Sequence, residues 1–162
     1  MAVDAERERT LLRRKLLGFG LKLQPTEGPS DLARDLVLAP SGDGSTRDFA
    51  VVEGVANLGQ ALAVALTTPL SGDVFNVDFG FDGLNALAEE TVPILVQERI
   101  RIAVITLLHK DPRVRRIVDV KLQDGRLTNP GASTRALDVR VVFETVSGDT
   151  QPLELGKAVP LG

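Results

Sequence analysis

The sequence predicts an α+β fold in which a long buried central helix is followed by a small antiparallel C-terminal sheet and preceded by an N-terminal hairpin and a helical arm. Residues from about Glu89 or Val92 to His109 carry apolar side chains at helical spacing around most of the circumference. The last third alternates apolar and polar residues with period two. The stretch before residue 55 is broken by turn residues into short runs. The expected division is an arm-and-hairpin extension over 1–54 and an α+β domain over 55–162.

Asp4 to Leu17 reads as a short charged helix with a narrow stripe of Leu12, Leu16 and Leu17, ending near Gly18 and Gly20. Alone it is marginal in water, so it needs its own domain or a partner to lie on. Leu23 to Asp31, with Pro25, Gly28 and Pro29, reads as a linker or turn. Two β-like runs, Asp35 to Ala39 and Phe49 to Glu53, flank the turn signal that starts at Pro40, which predicts a hairpin. Val55 to Leu66 places Leu58, Leu62 and Leu66 on one helical face, and Pro69 and Gly72 end it.

In the long helix, Val96, Ile100, Ala103, Val104, Leu107 and Leu108 share one face, and Ile94, Ile102 and Ile105 widen it. So wide an apolar surface predicts burial against more than one neighbour. Pro112 stops the helix. Val114 to Leu122 is the next strand, Asp124-Gly125 a turn, and Asn129-Pro-Gly extends the break. Leu137, Val139, Val141 and Phe143 then face one way along Leu137 to Val146. Ser147-Gly-Asp turns the chain again, and Leu153 and Leu155 form a last short strand.

Composition narrows the chemistry. The 162 residues suit one ordinary domain, and 43% hydrophobic with 25% charged residues is a globular balance. With no Trp or Tyr and six Phe, the chain lacks the stacking surface of single-strand nucleic-acid binders. A net charge of −3 gives no global attraction to nucleic acid or anionic membranes. The absence of cysteine excludes disulfides, thiol catalysis and thiolate zinc sites, and the one histidine excludes an all-histidine metal site within a chain. No apolar run reaches transmembrane length and the basic start lacks a signal peptide's apolar stretch, so a product that is cytoplasmic at synthesis is expected.

Catalytic patterns are missing too. Glu89 and Glu90 are sequence neighbours that diverge by about 100° on a helix, so they do not flank one scissile bond. His109 near Asp111 has no nucleophile elbow to serve. Gly18-Phe-Gly lacks the preceding strand and third glycine of a dinucleotide fingerprint, and Asp73, Asp78 and Asp82 are too loosely spaced for a calcium loop. The expectation is a non-enzyme with no cofactor and no metal.

Two segments resemble a known family. Leu66-Thr-Thr-Pro-Leu-Ser-Gly-Asp-Val-Phe-Asn-Val-Asp-Phe-Gly-Phe-Asp-Gly-Leu84 is similar to the segment of the GPW-type baseplate wedge family, the sheath initiators of contractile phage tails and injection systems, in which a helix ends at Thr-Pro and an Asp-Phe-Gly step leads toward a long helix. Ile100 to Val114 resembles the family's long helix ending in Glu-Pro-Arg, with Asp111-Pro112-Arg113 carrying Asp for Glu. The likeness covers about Asn57 to Phe143. The loop reads Ser-Gly-Asp-Val where many members have a Pro-Gly-Glu-Arg type sequence.

The resemblance implies a structural baseplate subunit that nucleates sheath assembly by strand addition. Its implied partners are the sheath protein, wedge proteins, and central hub, spike or inner tube proteins, with six copies per particle. A tail or baseplate adaptor without sheath contact is the alternative. A peptidoglycan hydrolase is a third, against which the missing carboxylate geometry speaks. The implied wedge joint is Asp111, Pro112 and Arg113, and the implied loop contact is Asp78, Phe79 and Gly80. Arg113 offers planar donors to carboxylates or carbonyls of another chain, with Asp111 orienting it or meeting a partner's base; a helix stop with a surface salt bridge is the other reading. The sheath-binding strand is Leu137, Val139, Val141 and Phe143, either as an open edge or as an internal strand covered by the tail from Gln151 onward.

Overall fold

The computed structural model describes residues 2–26, 34–42, 44–83, 89, 92–124, 135–155 and 160–161. Glu90, the Asp124-Gly125 turn beyond Asp124, the break at Asn129 and most of the predicted 23–31 linker lie outside the described residues. The fold is α+β, mixing helices with small antiparallel sheets. The chain divides into two compact units, Met1–Ala61 and Leu62–Gly162, and the division falls within the sequence of helix α2 (Gly54–Thr67).

The N-terminal unit contains helix α1 (Ala2–Leu17) and six strands of three residues each. These are β1 (Phe19–Leu21), β2 (Leu23–Pro25), β3 (Arg34–Leu36), β4 (Leu38–Pro40), β5 (Arg47–Phe49) and β6 (Val51–Glu53). The predicted hairpin is present in shortened form as β4 and β5. Its outer halves separate: β3 pairs β2, so Leu23–Pro25 is strand rather than linker, and β6 pairs β1. The result is three antiparallel ribbons joined at single residues. Lys22 N–H donates to Ala50 O at 2.8 Å, Ala50 N–H to Val37 O at 2.8 Å, and Val37 N–H to Lys22 O at 3.0 Å. This closed ring of three hydrogen bonds satisfies the backbone where the ribbons part.

Two side chains of α2 complete that junction. Gln60 Oε1 accepts from Leu23 N–H at 2.7 Å while its Nε2 donates to Leu21 O at 2.8 Å. Residues i and i+2 of an extended chain point these groups the same way, so one amide stands in for a missing neighbour strand. Asn57, buried, donates from Nδ2 to Leu17 O at 3.0 Å. Gly20 lies so close that a Cβ there would fall 2.8 Å from Asn57 Oδ1. Of the predicted α1 stripe only Leu17 is buried; Leu12 and Leu16 are exposed.

The C-terminal unit holds the main core. Leu62 and Leu66 of α2 are buried as the spacing predicts. Helix α3 (Pro93–Lys110) buries Val96, Ile100, Val104, Leu107 and Leu108. Ile94 and Ile102, read from the sequence as widening the buried face, are 67% and 62% exposed. The helix is therefore covered on one face within this chain. After Pro112 comes β7 (Val114–Asp124), antiparallel to β8 (Arg135–Thr145), with register irregularities near its start.

The other side of β8 is taken as well. Strand β9 (Thr150–Leu155) pairs with it from Glu144 to Val139, and β10 (Pro160–Leu161) pairs at Ala136 and Arg135. The Leu137, Val139, Val141 and Phe143 run is thus the sheet's central strand, and the open-edge reading is corrected. Alternation had identified the buried face, since Val139, Val141 and Phe143 are all buried. It carries no information about which strand ends a sheet. The turn into β9 is closed by Thr145 N–H to Asp149 O at 2.9 Å and by a hydroxyl chain from Thr145 through Ser147 to Asp149.

Candidate docking surfaces

The expected joint sits where α3 hands over to β7. Asp111 caps the helix with ψ at 114°, the extended conformation that a following proline demands. Its Oδ1 accepts from Arg113 N–H and Nε, each at 2.9 Å, and its Oδ2 accepts from Arg113 Nη2 at 2.6 Å. Burial alone would push the Asp111 carboxyl up, but the hydrogen bonds and charge of Arg113 outweigh it and hold the group below the ordinary carboxylate value. The hydrogen bond that Arg113 donates to Asp111 likewise holds the guanidinium above its ordinary value, against the effect of burial.

Arg113 O accepts from Val146 N–H at 3.0 Å, so the joint also ties the start of β7 to the end of β8. Of the two roles weighed for Asp111, orienting Arg113 is the one seen. The Nε–Nη2 edge of the guanidinium, which suits a carboxylate, is already used within the chain. Pro112 is exposed and Asp111 and Arg113 are half-buried.

The loop after α2 is a compact closed structure. Phe81 N–H donates to Thr68 O at 2.8 Å and Leu70 N–H to Phe81 O at 3.1 Å, a parallel bridge that brings the loop's ends together. Within it Asp73 Oδ1 accepts from Phe75 N–H at 2.9 Å, and Ser71 Oγ donates to Val77 O at 3.0 Å. Lys110 Nζ, from the last turn of α3, donates to Asp78 O at 3.2 Å.

The three loop residues expected to touch a partner separate in role. Asp78 is exposed, Phe79 is half-buried and Gly80 is buried. Gly80 has φ +112°, and a Cβ there would lie 2.5 Å from Pro69 O, so only glycine fits. Phe79 and Gly80 belong to the loop's construction. What the loop presents instead is its tip: Val74 is 84% exposed, Phe75 100%, and Val77 is also exposed. Sequence reasoning passed over these residues. The signal available was an apolar Val-Phe-x-Val run set between Gly72 and Gly80.

A second apolar surface surrounds the ribbon junction of the N-terminal unit. Leu21 opposes Val51, Leu23 opposes Leu36, and Leu38 opposes Phe49. Cross-strand partners share a face, as do the residues either side of an extended one. The six residues flanking Lys22, Val37 and Ala50 therefore form an apolar ring on one face. Leu23 is half-buried and the other five are between 44% and 52% exposed.

A groove of about 400 Å³ in the C-terminal unit is lined by Leu70, Gly80 and Asp82 from the loop and by Arg99, Ile102, Ala103, Thr106, Leu107 and Lys110 from α3. His109 is exposed on the last turn of α3, and Glu89 pairs with Arg99 at 3.0 Å. Among the described residues no helix is long and apolar enough to cross a membrane. No protein-family model matches the chain, and no curated protein matches it.

Proposed function

We propose that this chain is a structural, non-catalytic subunit of the baseplate of a contractile injection system or contractile phage tail, which nucleates sheath assembly and bonds to wedge and hub proteins. The observation that carries this reading is the apolar surface each unit leaves uncovered: the ring around Lys22, Val37 and Ala50, and the tip at Val74 and Phe75. Exposed patches of this kind mark protein interaction sites. The identity of the partners rests on the resemblance of Leu66 to Leu84 and Ile100 to Val114 to the sheath-initiator family.

In this reading the long helix is buried on both sides only in the particle, where a wedge or hub protein covers Ile94 and Ile102. The Asp111-Pro112-Arg113 joint contributes as a rigid corner whose exposed Pro112 and outer surface meet the wedge. Sheath strand addition moves from β8 to β7, whose outer edge pairs with none of the described strands. β9 is the poorer template because Pro152 removes a donor from it. Six copies, made in the cytoplasm, would enter each tail or tail-like particle.

One observation favours the adaptor reading without sheath contact: the strand that matched the family's sheath-binding run is internal. Proline substitution at two neighbouring positions of β7 separates the readings. In an antiparallel pair consecutive residues turn their N–H groups to opposite sides. Of Val120→Pro and Lys121→Pro, one breaks a bond to β8 and lowers the melting temperature, while the other removes a donor only from the outer edge. Electron microscopy of particles carrying the normally melting variant should show baseplates and tubes without sheath. Full-length sheath on those particles would rule out strand addition at β7.

A further inference from the structure

We propose that two copies of this chain pair through helix α1, antiparallel, with Leu12 against Leu12 of the second copy, Leu16 against its Ala5 and Glu8 against its Lys15. The inference is independent of the baseplate reading and uses none of the surfaces assigned there. It starts from a helix with little of its own unit to lie on. Residues 4–12 of α1 are all exposed, Arg13 is half-buried, and Leu17 alone is buried among its described side chains. The helix is tied to its unit near its end, where Asn57 holds Leu17 O and Arg14 pairs with Glu53 at 3.4 Å. A helix of 16 residues is marginal in water without packing along its length.

The outward side of α1 selects the occupant. At about 100° per residue, Ala5, Glu8, Leu12, Lys15 and Leu16 fall on the side opposite Leu17. Leu12 is 49% and Leu16 38% exposed. Glu8 and Lys15 lie two turns apart on one flank of this stripe, with Leu12 between them. Neither has an opposite charge three or four residues away, and neither forms an ion pair with a described residue. A two-fold axis between antiparallel helices sets each flank beside the same flank of the other copy. One axis near Leu12 then places Glu8 beside Lys15 twice, Leu12 beside Leu12, and large Leu16 over small Ala5. All these pairs lie level to within about 5 Å, one helical turn. On the far flank Arg9 approaches Arg13, whose charge is already met by Glu6 at 3.8 Å. The stripe is thus complementary to itself in charge and in size, which a foreign helix has no reason to match. Asp4, Glu6 and Glu8 on the same helix set it against an anionic lipid or nucleic-acid surface. Two short helices make a contact of the small, transient class, so the dimer is weak.

Sedimentation of the full chain up to about 0.5 mM, a range that captures weak affinities, tests this, with circular dichroism melts as the folding control. The wild type should shift from monomer to dimer as concentration rises. Leu12→Gln should weaken association about tenfold and leave the melt of the dilute protein unchanged, because the side chain is exposed in the single chain. Glu8→Lys and Lys15→Glu should each weaken it as well. The double variant Glu8→Lys, Lys15→Glu should recover it, since the exchange rebuilds both ion pairs between identical chains. The chain has no cysteine, so a disulfide reports engineered positions alone. Ala5→Cys and Leu16→Cys chains, mixed under mild oxidation, should give the crossed product. A chain that stays monomeric at every concentration, or a dimer that Leu12→Gln and Glu8→Lys leave intact, would overturn the proposal. So would a double variant no tighter than the single ones, or disulfides joining position 5 to position 5 in place of the crossed product.

Discussion

The N-terminal unit and the C-terminal unit satisfy their backbones by different means. In the C-terminal unit strands of eleven residues pair over long registers, and Ile100, Val104, Leu108, Val141 and Phe143 are fully or almost fully buried. Side-chain packing dominates there. In the N-terminal unit every strand has three residues, and the strand residues flanking the junction, half-buried Leu23 excepted, lie open to solvent. Order there comes from hydrogen bonds: the ring through Lys22, Val37 and Ala50, and the amide clasps of Asn57 and Gln60. A packed core spends apolar groups on folding, whereas a hydrogen-bonded junction leaves them available for another molecule.

The largest test of that contrast is a charge in the packed core. Ile100→Asp puts a carboxylate at a fully buried position and should cost several kcal/mol, enough to abolish cooperative unfolding. Circular dichroism melts would measure it; a soluble variant with a normal transition would mean that α3 does not organise the core.

Gln60→Ala probes the other mechanism. It removes the partner of Leu23 N–H and Leu21 O and should cost about 0.5–1.5 kcal/mol. Hydrogen exchange should accelerate at Leu21, Leu23 and the junction amides while β7 and β8 keep their protection. Uniform loss across both units would erase the distinction between them.

An effect no larger is expected at the helix-to-strand joint. The depressed Asp111 carboxyl contributes stability in full above its unfolded pKa of about 3.9, and that contribution is lost as pH falls through the lower folded value. Asp111→Asn should therefore lose about 1 kcal/mol at neutral pH and show a flatter acid limb in a melting-temperature series. An unchanged acid limb would remove the ion pair from the account.

Least of all should be felt from Phe49→Ser or Val51→Ser on the apolar ring. Folding stability should move by no more than about 0.5 kcal/mol, the range of an exposed site, while incorporation into particles should fall under the proposed baseplate role. A large drop in melting temperature would mean the ring is part of the N-terminal unit's own core.

Helix α2 and much of the C-terminal unit are legible in the sequence because their elements are long. Leu58, Leu62 and Leu66 in α2, Val96 to Leu108 in α3 and the alternation through Val141 and Phe143 each repeat often enough to name an element and its inner face. The N-terminal junction was not legible, because three residues contain no period and Leu23-Gln-Pro reads equally well as linker. The site divides in the same way. Asp111, Pro112 and Arg113 could be located as a helix stop, and Gly80 as part of a turn-rich loop, from residue types alone.

Local sequence therefore determined the α+β class, the helix limits and the faces of the long strands, because propensity and periodicity act over neighbouring residues. Only the tertiary structure decided that β8 lies between β7 and β9. It alone decided that Ile102 and Phe75 are left in water and that Lys22, Val37 and Ala50 close a ring. Each of these depends on which distant segment reaches a given hydrogen-bonding edge or apolar face first, a competition between long-range contacts that no single stretch of chain records.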